Sequence, residues 1–220
     1  IHIEKHPLQR GAFAHSFKLL CDTYLYMYGL NEKELTKLKK LNTPQKIQDF
    51  LDSLPTNNEK HGETCMSPRR VLTEGKAHCM EGAMLGALAL MLQGEKPLIM
   101  SLKVAKPDFY HAVVLFKQNG YWGALSKTNH AVLRYRDPIY KNAREIALSY
   151  FHEYFLLSNG KKTLRGYSKP VNLKKFGTSW VTRMDDLWEI TETIYDMPHI
   201  DIIPKGSEKY IRDARPLERE

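Results

Sequence analysis

A cysteine at the mouth of an apolar helix is the residue best placed for chemistry. The segment Glu74-Gly75-Lys76-Ala77-His78-Cys79-Met80-Glu81-Gly82-Ala83 passes from a glycine-containing turn into a run rich in Ala, Leu and Met. The first backbone N–H groups of a helix have no intrahelical acceptor, and they form the positive end of the helix dipole. A thiol placed there ionises more readily. The thiolate is a nucleophile, and the same N–H groups can hold an oxyanion. Taken alone, the pattern also describes a small buried core residue, because free cysteine is among the most buried residue types.

His111 supplies the second group. It opens the apolar run His111–Lys117 after the polar stretch Lys106-Pro107-Asp108-Phe109-Tyr110. An imidazole titrates near neutral pH, which suits a general base. Asn119-Gly120, lying between His111–Lys117 and Tyr121–Leu125, is a strong two-residue hairpin signal. In that register Gln118 faces Tyr121, Val113 faces Ser126 and His111 faces Thr128. Side chains two apart share a face, so His111, Ser126 and Thr128 fall on one side of the hairpin. A hydroxyl is thereby offered to the imidazole's other nitrogen. Asn129 points to the opposite face unless the strand ends or bulges first.

The elements that must carry these groups can be read in chain order. Phe13, Phe17, Leu20, Tyr24 and Met27 recur at helical spacing between Gly11 and Gly29. Asn31 with Glu34 forms a capping-box pattern for a helix through Lys40. Thr43-Pro44 opens another helix to about Leu54. The stretch from Leu54 to Arg70 reads as a long polar loop of the kind often used for function. A buried helix spans Cys79 to about Gln93, with Gly94 as its stop. Gly82 and Gly86 within it suit close packing on a sheet rather than a phosphate loop. Pro97–Val104 is an expected strand, and Asn142–Phe155 a further helix. A helical start, a long apolar helix and an antiparallel hairpin give an α+β class. No linker is evident, so residues 1–220 are expected to form one domain.

At these residues the chain resembles the transglutaminase-like superfamily, whose logic is papain-like. The resemblance rests on Gly-x-x-x-Cys-x-Glu-x-Ala entering an apolar helix, a histidine opening a strand, and a following strand that bears Trp122; it covers about Thr43 to Tyr140. The runs Gly123–His130, Leu133–Pro138 and Ser149–Phe155 further resemble a bacterial branch of that group, one that carries no assigned substrate. The resemblance implies a helix bearing the cysteine packed on an antiparallel sheet, with Cys79 as nucleophile and His111 as base. The family's third residue is usually an aspartate a few residues beyond the tryptophan. Here Ser126 holds that place, four residues past Trp122. Serine can orient the ring but carries no charge to steady an imidazolium. Asn129 and Asp137 stand as alternatives for the role.

Other residues have plainer readings. His78 could tune the thiolate, but a surface histidine is the simpler expectation, and His130 is similar. Cys65, Cys79, His78 and His111 lack metal-ligand spacing, so neither metal nor cofactor is expected. Tyr110 suits a cleft wall and Trp122 a core. The stretch from Ser158 to Trp180 carries Lys161, Lys162, Arg165, Lys169, Lys174 and Lys175 without an acid, interleaved with Tyr167, Phe176 and Trp180. That mixture would suit an anionic partner such as single-stranded nucleic acid, and equally a solvated loop.

Composition bounds the rest. The chain has 220 residues and a formal net charge of +8, with 42% hydrophobic and 26% charged residues. This is a folded-protein balance and excludes a disordered chain. Three cysteines are too few for a disulfide scaffold and suit a reducing compartment. The longest uncharged apolar run, Gly82–Leu92, is too short to cross a bilayer, and no basic-then-apolar leader is visible. The expectation is a cytoplasmic cysteine hydrolase or acyltransferase acting on the amide bond of a protein or peptide. The alternatives are an inactive binding or scaffold protein of the same fold and a basic nucleic-acid-binding module. The oligomeric state is not legible.

Overall fold

The fold is described by a computed structural model over residues 27–59 and 62–219. The expected helical stripe from Phe13 to Tyr24 lies outside the described residues.

Two short amphipathic helices come first. Helix α1 (Glu32–Lys40) is closed at its start by Asn31, whose side chain accepts from the Glu34 N–H while Glu34 returns the bond to the Asn31 N–H. Helix α2 (Pro44–Ser53) has Thr43 as cap and Pro44 in its first turn. Both starts agree with the sequence reading. The expected loop from Leu54 to Arg70 is interrupted at its end by α3 (Pro68–Glu74). Ser67 caps this helix, and Gly75 ends it in the left-handed conformation at φ 68°. Its signals were therefore present, a serine before a proline and a terminal glycine, but they sit in a polar stretch with only one turn of apolar periodicity.

Helix α4 (Cys79–Met91) is the centre of the packing. Every residue from Met80 to Met91 is buried. It has no polar face because it is enclosed on all sides: by the sheet, by α2 and by α3. The sheet is antiparallel. Its strands are β1 (Leu98–Val104), β2 (His111–Gln118), β3 (Tyr121–Leu125), β4 (Arg136–Tyr140), β5 (Leu164–Ser168), β6 (Val171–Asn172) and β7 (His199–Asp201). The order is β4-β3-β2-β1-β5-β7, with β6 paired to β1. Helix α5 (Ala143–Phe151), capped by Asn142, is shorter than expected and covers the other face. Alternation along β2 divides its side chains: Ala112, Val114 and Phe116 join the core around α4, while Val113 and Leu115 join the one beneath α5. Helix α6 (Trp188–Tyr195) packs against β1. The class is thus α+β. No helix among the described residues is long and apolar enough to cross a membrane.

The Asn119-Gly120 turn has the register read from sequence. Gln118 pairs with Tyr121, and the ladder continues to Val114 opposite Leu125. Both turn residues have positive φ, 49° at Asn119 and 85° at Gly120, as a tight hairpin of this kind demands.

Gly82 sets how closely α4 can approach the segment after β3. A Cβ added there would lie 2.4 Å from Lys127 Cβ and 2.9 Å from its Cγ. Lys127 cannot step aside, because its buried ammonium donates to the Leu54 carbonyl at 2.5 Å. At Gly86 the nearest atom is Val114 Cγ2 at 3.5 Å, an ordinary contact. Urea denaturation should therefore separate the two glycines. Gly82→Ala is expected to destabilise the fold by about 1–3 kcal/mol through overpacking. Gly86→Ala is expected to be neutral, or to gain up to about 1 kcal/mol from helix propensity.

Candidate active site

The N-terminus of α4 faces the start of β2 across a cleft of about 730 Å³. Cys79 is the first residue of the helix and half-buried at the cleft wall. His111 is the first residue of β2 and 7% exposed. His78, Tyr110, Tyr154, Trp188 and Tyr195 line the same cleft. Of the aromatic expectations, Tyr110 is on the cleft wall, and Trp122 packs partly buried against the α5 core.

The imidazole of His111 is held by the residue the hairpin register had pointed to. Its Nε2 shares a hydrogen bond with Ser126 Oγ at 2.5 Å, between two buried groups. The ring also acts on Cys79, whose thiol it draws toward the ionised form. Ser126 is itself fixed by Gln48, a buried glutamine of α2. The Gln48 amide donates to the Ser126 carbonyl at 2.9 Å and accepts from its N–H at 3.0 Å. Such a two-way clasp substitutes for the strand partner that Ser126 lacks just past the end of β3. The other two candidates for the third position are engaged elsewhere. Asn129 Oδ1 accepts from the Thr56 hydroxyl at 2.9 Å, and Asp137 is exposed on β4, the strand at the sheet edge. Thr128 lines the cleft and caps locally, accepting from the His130 N–H.

His78 does not lie free on the surface, contrary to the simpler expectation. Its ring caps α4: Nδ1 accepts from the Met80 N–H at 3.2 Å. Its Nε2 donates to the Thr64 carbonyl at 2.8 Å, with carboxylate oxygens of Glu81 at 3.4 Å and Glu59 at 3.7 Å. Glu81 is fully buried and accepts from the His78 and Met66 N–H groups, both at 2.9 Å, and from the Thr64 hydroxyl at 2.8 Å. Asn57 donates to it as well. A buried carboxylate so supplied with donors is a fixed negative charge beside the ring.

These neighbours set the thiol's state. Burial alone would raise the pKa of Cys79. Hydrogen bonds and charge from His111 and His78 outweigh that cost and hold it well below the ordinary thiol value. Burial likewise opposes charge on His78, but Cys79, Glu81 and the Thr64 carbonyl push its pKa up to about 9. The Tyr195 hydroxyl stands 3.7 Å from the sulfur, and burial together with the adjacent thiolate raises its pKa well above the usual phenol range. It therefore remains a donor at any physiological pH. Sequence reasoning missed Gln48 and Tyr195. Each meets the site only through tertiary contact, and their local patterns, a glutamine beside Ile47 and Leu51 and a tyrosine ending a helix, carry no signal of it.

The second described cysteine behaves oppositely. Cys65 is buried against the Thr191 hydroxyl at 3.0 Å, and burial pushes its thiol up to about 12. Among the described residues no cluster of His, Cys, Asp and Glu is arranged to hold a metal. In the basic stretch, Lys162, Tyr167 and Trp180 are buried, so two of its three aromatic rings belong to the core.

No family model matches the chain, and no curated protein is similar to it.

The contrast between the cysteines gives a direct measurement. Cys79 has a lowered pKa, so its thiolate persists as pH falls until that lowered value is crossed. Iodoacetamide labelling followed by mass spectrometry should modify Cys79 with an apparent pKa well below the free value of about 8.5. Cys65 should stay unmodified through the same range and label only on denaturation. Equal labelling of the two would contradict the charge environment described.

Proposed function

We propose that this protein is a transglutaminase-like cysteine hydrolase or acyltransferase that cleaves an amide bond of a protein or peptide through a Cys79 thioester. One observation supports this reading above the others: a thiol at the start of a buried helix, set beside a histidine whose ring is oriented by a buried serine, with its pKa held below the ordinary thiol value. A scaffold protein has no use for a desolvated thiolate. Holding one costs stability and contributes nothing to packing.

The chemistry follows from the positions. The Cys79 thiolate attacks the substrate's acyl carbon; the C–S bond forms and the carbonyl π electrons move to oxygen. The Cys79 N–H, which as the first of the helix has no intrahelical acceptor, and the Tyr195 hydroxyl are donors beside that oxygen. As the oxyanion collapses, the C–N bond breaks and the leaving nitrogen takes a proton from the His111 imidazolium. His111, now neutral, accepts a proton from water or from an incoming amine. That nucleophile attacks the thioester and expels the thiolate. Water yields a carboxylic acid and a free amine yields a new amide. Ser126 orients the ring through Nε2 and takes no proton in this scheme.

The exposed side chains of Phe109, Leu157 and Trp188 line the cleft of about 730 Å³ and offer apolar contacts to a peptide. The test is turnover of a glutamine-rich peptide mixture, read as ammonia release, new carboxylates or hydroxylamine-trapped acyl groups. Cys79→Ala should abolish acyl-enzyme formation. His111→Ala should lower kcat by roughly 10²–10⁴, the range for a lost general base. Ser126→Ala should lower kcat by about tenfold, with the substrate KM unchanged, as expected of an orienting hydroxyl. Acylation that survives Cys79→Ala would refute the assignment.

A further inference from the structure

We propose that His78 is a second catalytic imidazole, charged by the buried Glu81, and that it supplies from the helix side the electrostatic support that Ser126 cannot give from the strand side. This rests on reading Cys79 as the nucleophile.

The argument begins with the tautomer. The Thr64 carbonyl can only accept, so the His78 Nε2 at 2.8 Å from it carries a proton in every state. The variable proton belongs to Nδ1. When Nδ1 is bare, it accepts from the Met80 N–H at 3.2 Å. When Nδ1 is protonated, it can no longer accept that bond. It becomes a donor available to the neighbouring Cys79, whose charge favours the protonated ring. The surroundings favour the second state. Glu81 and Glu59 both approach Nε2, and Glu81 is locked by backbone and side-chain donors from Met66, Thr64, Asn57 and His78 itself. Among the described residues, the titratable groups that interact with the sulfur are His111 from β2, Tyr195 from α6, Tyr154 and His78. No carboxylate is among them, so the negative charge at the far side of a ring is that of Glu81.

Two consequences follow for the reaction. First, the resting thiolate has a second counter-ion in His78, so the positive charge beside the sulfur does not rest on the His111 imidazolium alone. Such an arrangement explains how a serine suffices at the third position: it must orient a ring, not balance a charge. Second, charging His78 releases the Met80 N–H from its cap bond. That group then joins the Cys79 N–H as a donor next to the sulfur, where an oxyanion would form. Glu81 acts through His78 and is a positioning residue.

The experiment uses the full chain and needs no substrate. Thiolate ultraviolet absorbance and iodoacetamide rates at Cys79 are followed against pH in the unaltered protein, His111→Ala, His78→Asn and Glu81→Gln. Asparagine is a good helix cap, so His78→Asn keeps the cap while removing the charge. His111→Ala is expected to retain a thiolate below the free thiol range. His78→Asn is expected to raise the inflection by at least about one unit, a tenfold loss of thiolate on the acid side. Glu81→Gln should move it in the same direction by less. As a check independent of any variant's folding, ring NMR of the unaltered protein should show one histidine titrating near 9, the value to which His78 is pushed.

The proposal is overturned if His111→Ala alone returns Cys79 to the free value while His78→Asn leaves the curve in place, or if no histidine titrates above neutral pH. The outcomes also separate from those of the functional reading. A thiolate that depends on His78 in a protein that acylates no peptide would support this inference and sink the enzyme assignment. Turnover with a thiolate indifferent to His78 would do the reverse.

Discussion

An ionised sulfur at the edge of an apolar core must be surrounded by donors and positive charge, or it will take up a proton. That requirement governs the architecture around Cys79. The helix that presents it is buried from Met80 to Met91, so only its first residue reaches the cleft and much of the balance must come from the protein. The balance comes instead from three directions: the start of β2, the turn before α4 and the end of α6, which contribute His111, His78 and Tyr195. Each of these segments is anchored by contacts that have no other evident purpose. The Leu187 N–H binds the Cys65 carbonyl at 2.9 Å, and Asp186 accepts from the Cys65 N–H and pairs with Arg70. These bonds tie the approach to α6 onto the strand-like segment before α3. Tyr195 is carried to the sulfur on that tie. Its ring is braced edge-on by Tyr110, 5.6 Å between centroids, from the loop that leads into His111.

The serine of the third position illustrates how such a site shares its tasks. In an imidazole held by an aspartate, orientation and charge come from one group. Here orientation comes from Ser126, made rigid by the amide of Gln48, and a buried charge is found on Glu81 at the other side of the sulfur. The two halves belong to different elements. Gln48 is on α2 and Glu81 is on α4, and Leu51 of α2 lies under both Gly82 and Gly86. Gly82 lets α4 close onto Lys127, the residue after Ser126, and so links the charged half to the orienting half. Lys127, wedged at Gly82 and fixed on Leu54, follows Ser126 in the chain and holds its segment down.

Much of this was legible before any coordinates. The starts of α1, α2 and α4 follow from local chemistry: a capping box at Asn31, a threonine-proline pair at Thr43, and a glycine turn ahead of an apolar run at Cys79. The Asn119-Gly120 turn fixed the hairpin register, and with it the meeting of His111 and Ser126. These succeed because the determinant lies within a few residues of what it determines. Gln48, Tyr195 and the strands after β3 were not legible for the converse reason. Gln48 meets Ser126, and Tyr195 meets Cys79, only once the sheet and helices are assembled. Helix α3 was lost inside a polar loop because its single turn of buried residues, Pro68 and Val71, is too short to show periodicity. His78 reads in sequence as a surface histidine, and its place as the cap of α4 is visible only in the fold. Neighbours in sequence need not meet in space, but an N-cap side chain turns back on the first turn of its helix, and His78 does so onto the Met80 N–H.

That exception has a physical basis worth following to its end. An N-cap side chain is selected to accept from the helix N-terminal N–H groups, and Ser, Thr, Asp or Asn does this best. Histidine is a poor choice for capping alone, since its acceptor nitrogen is bulky and is lost on protonation. A positive ring at the positive end of a helix dipole is also unfavourable by itself. Both penalties are offset only if a negative charge lies against the ring on each side, and the chain provides one on each: Glu81 at the third position of the helix and the Cys79 sulfur at the first. The spacing His78-Cys79-Met80-Glu81 is thus a capping box in which the usual hydroxyl is replaced by a titratable base and a thiol is set between the two members. As a cap the substitution costs stability. It makes physical sense as a means of keeping the thiol ionised.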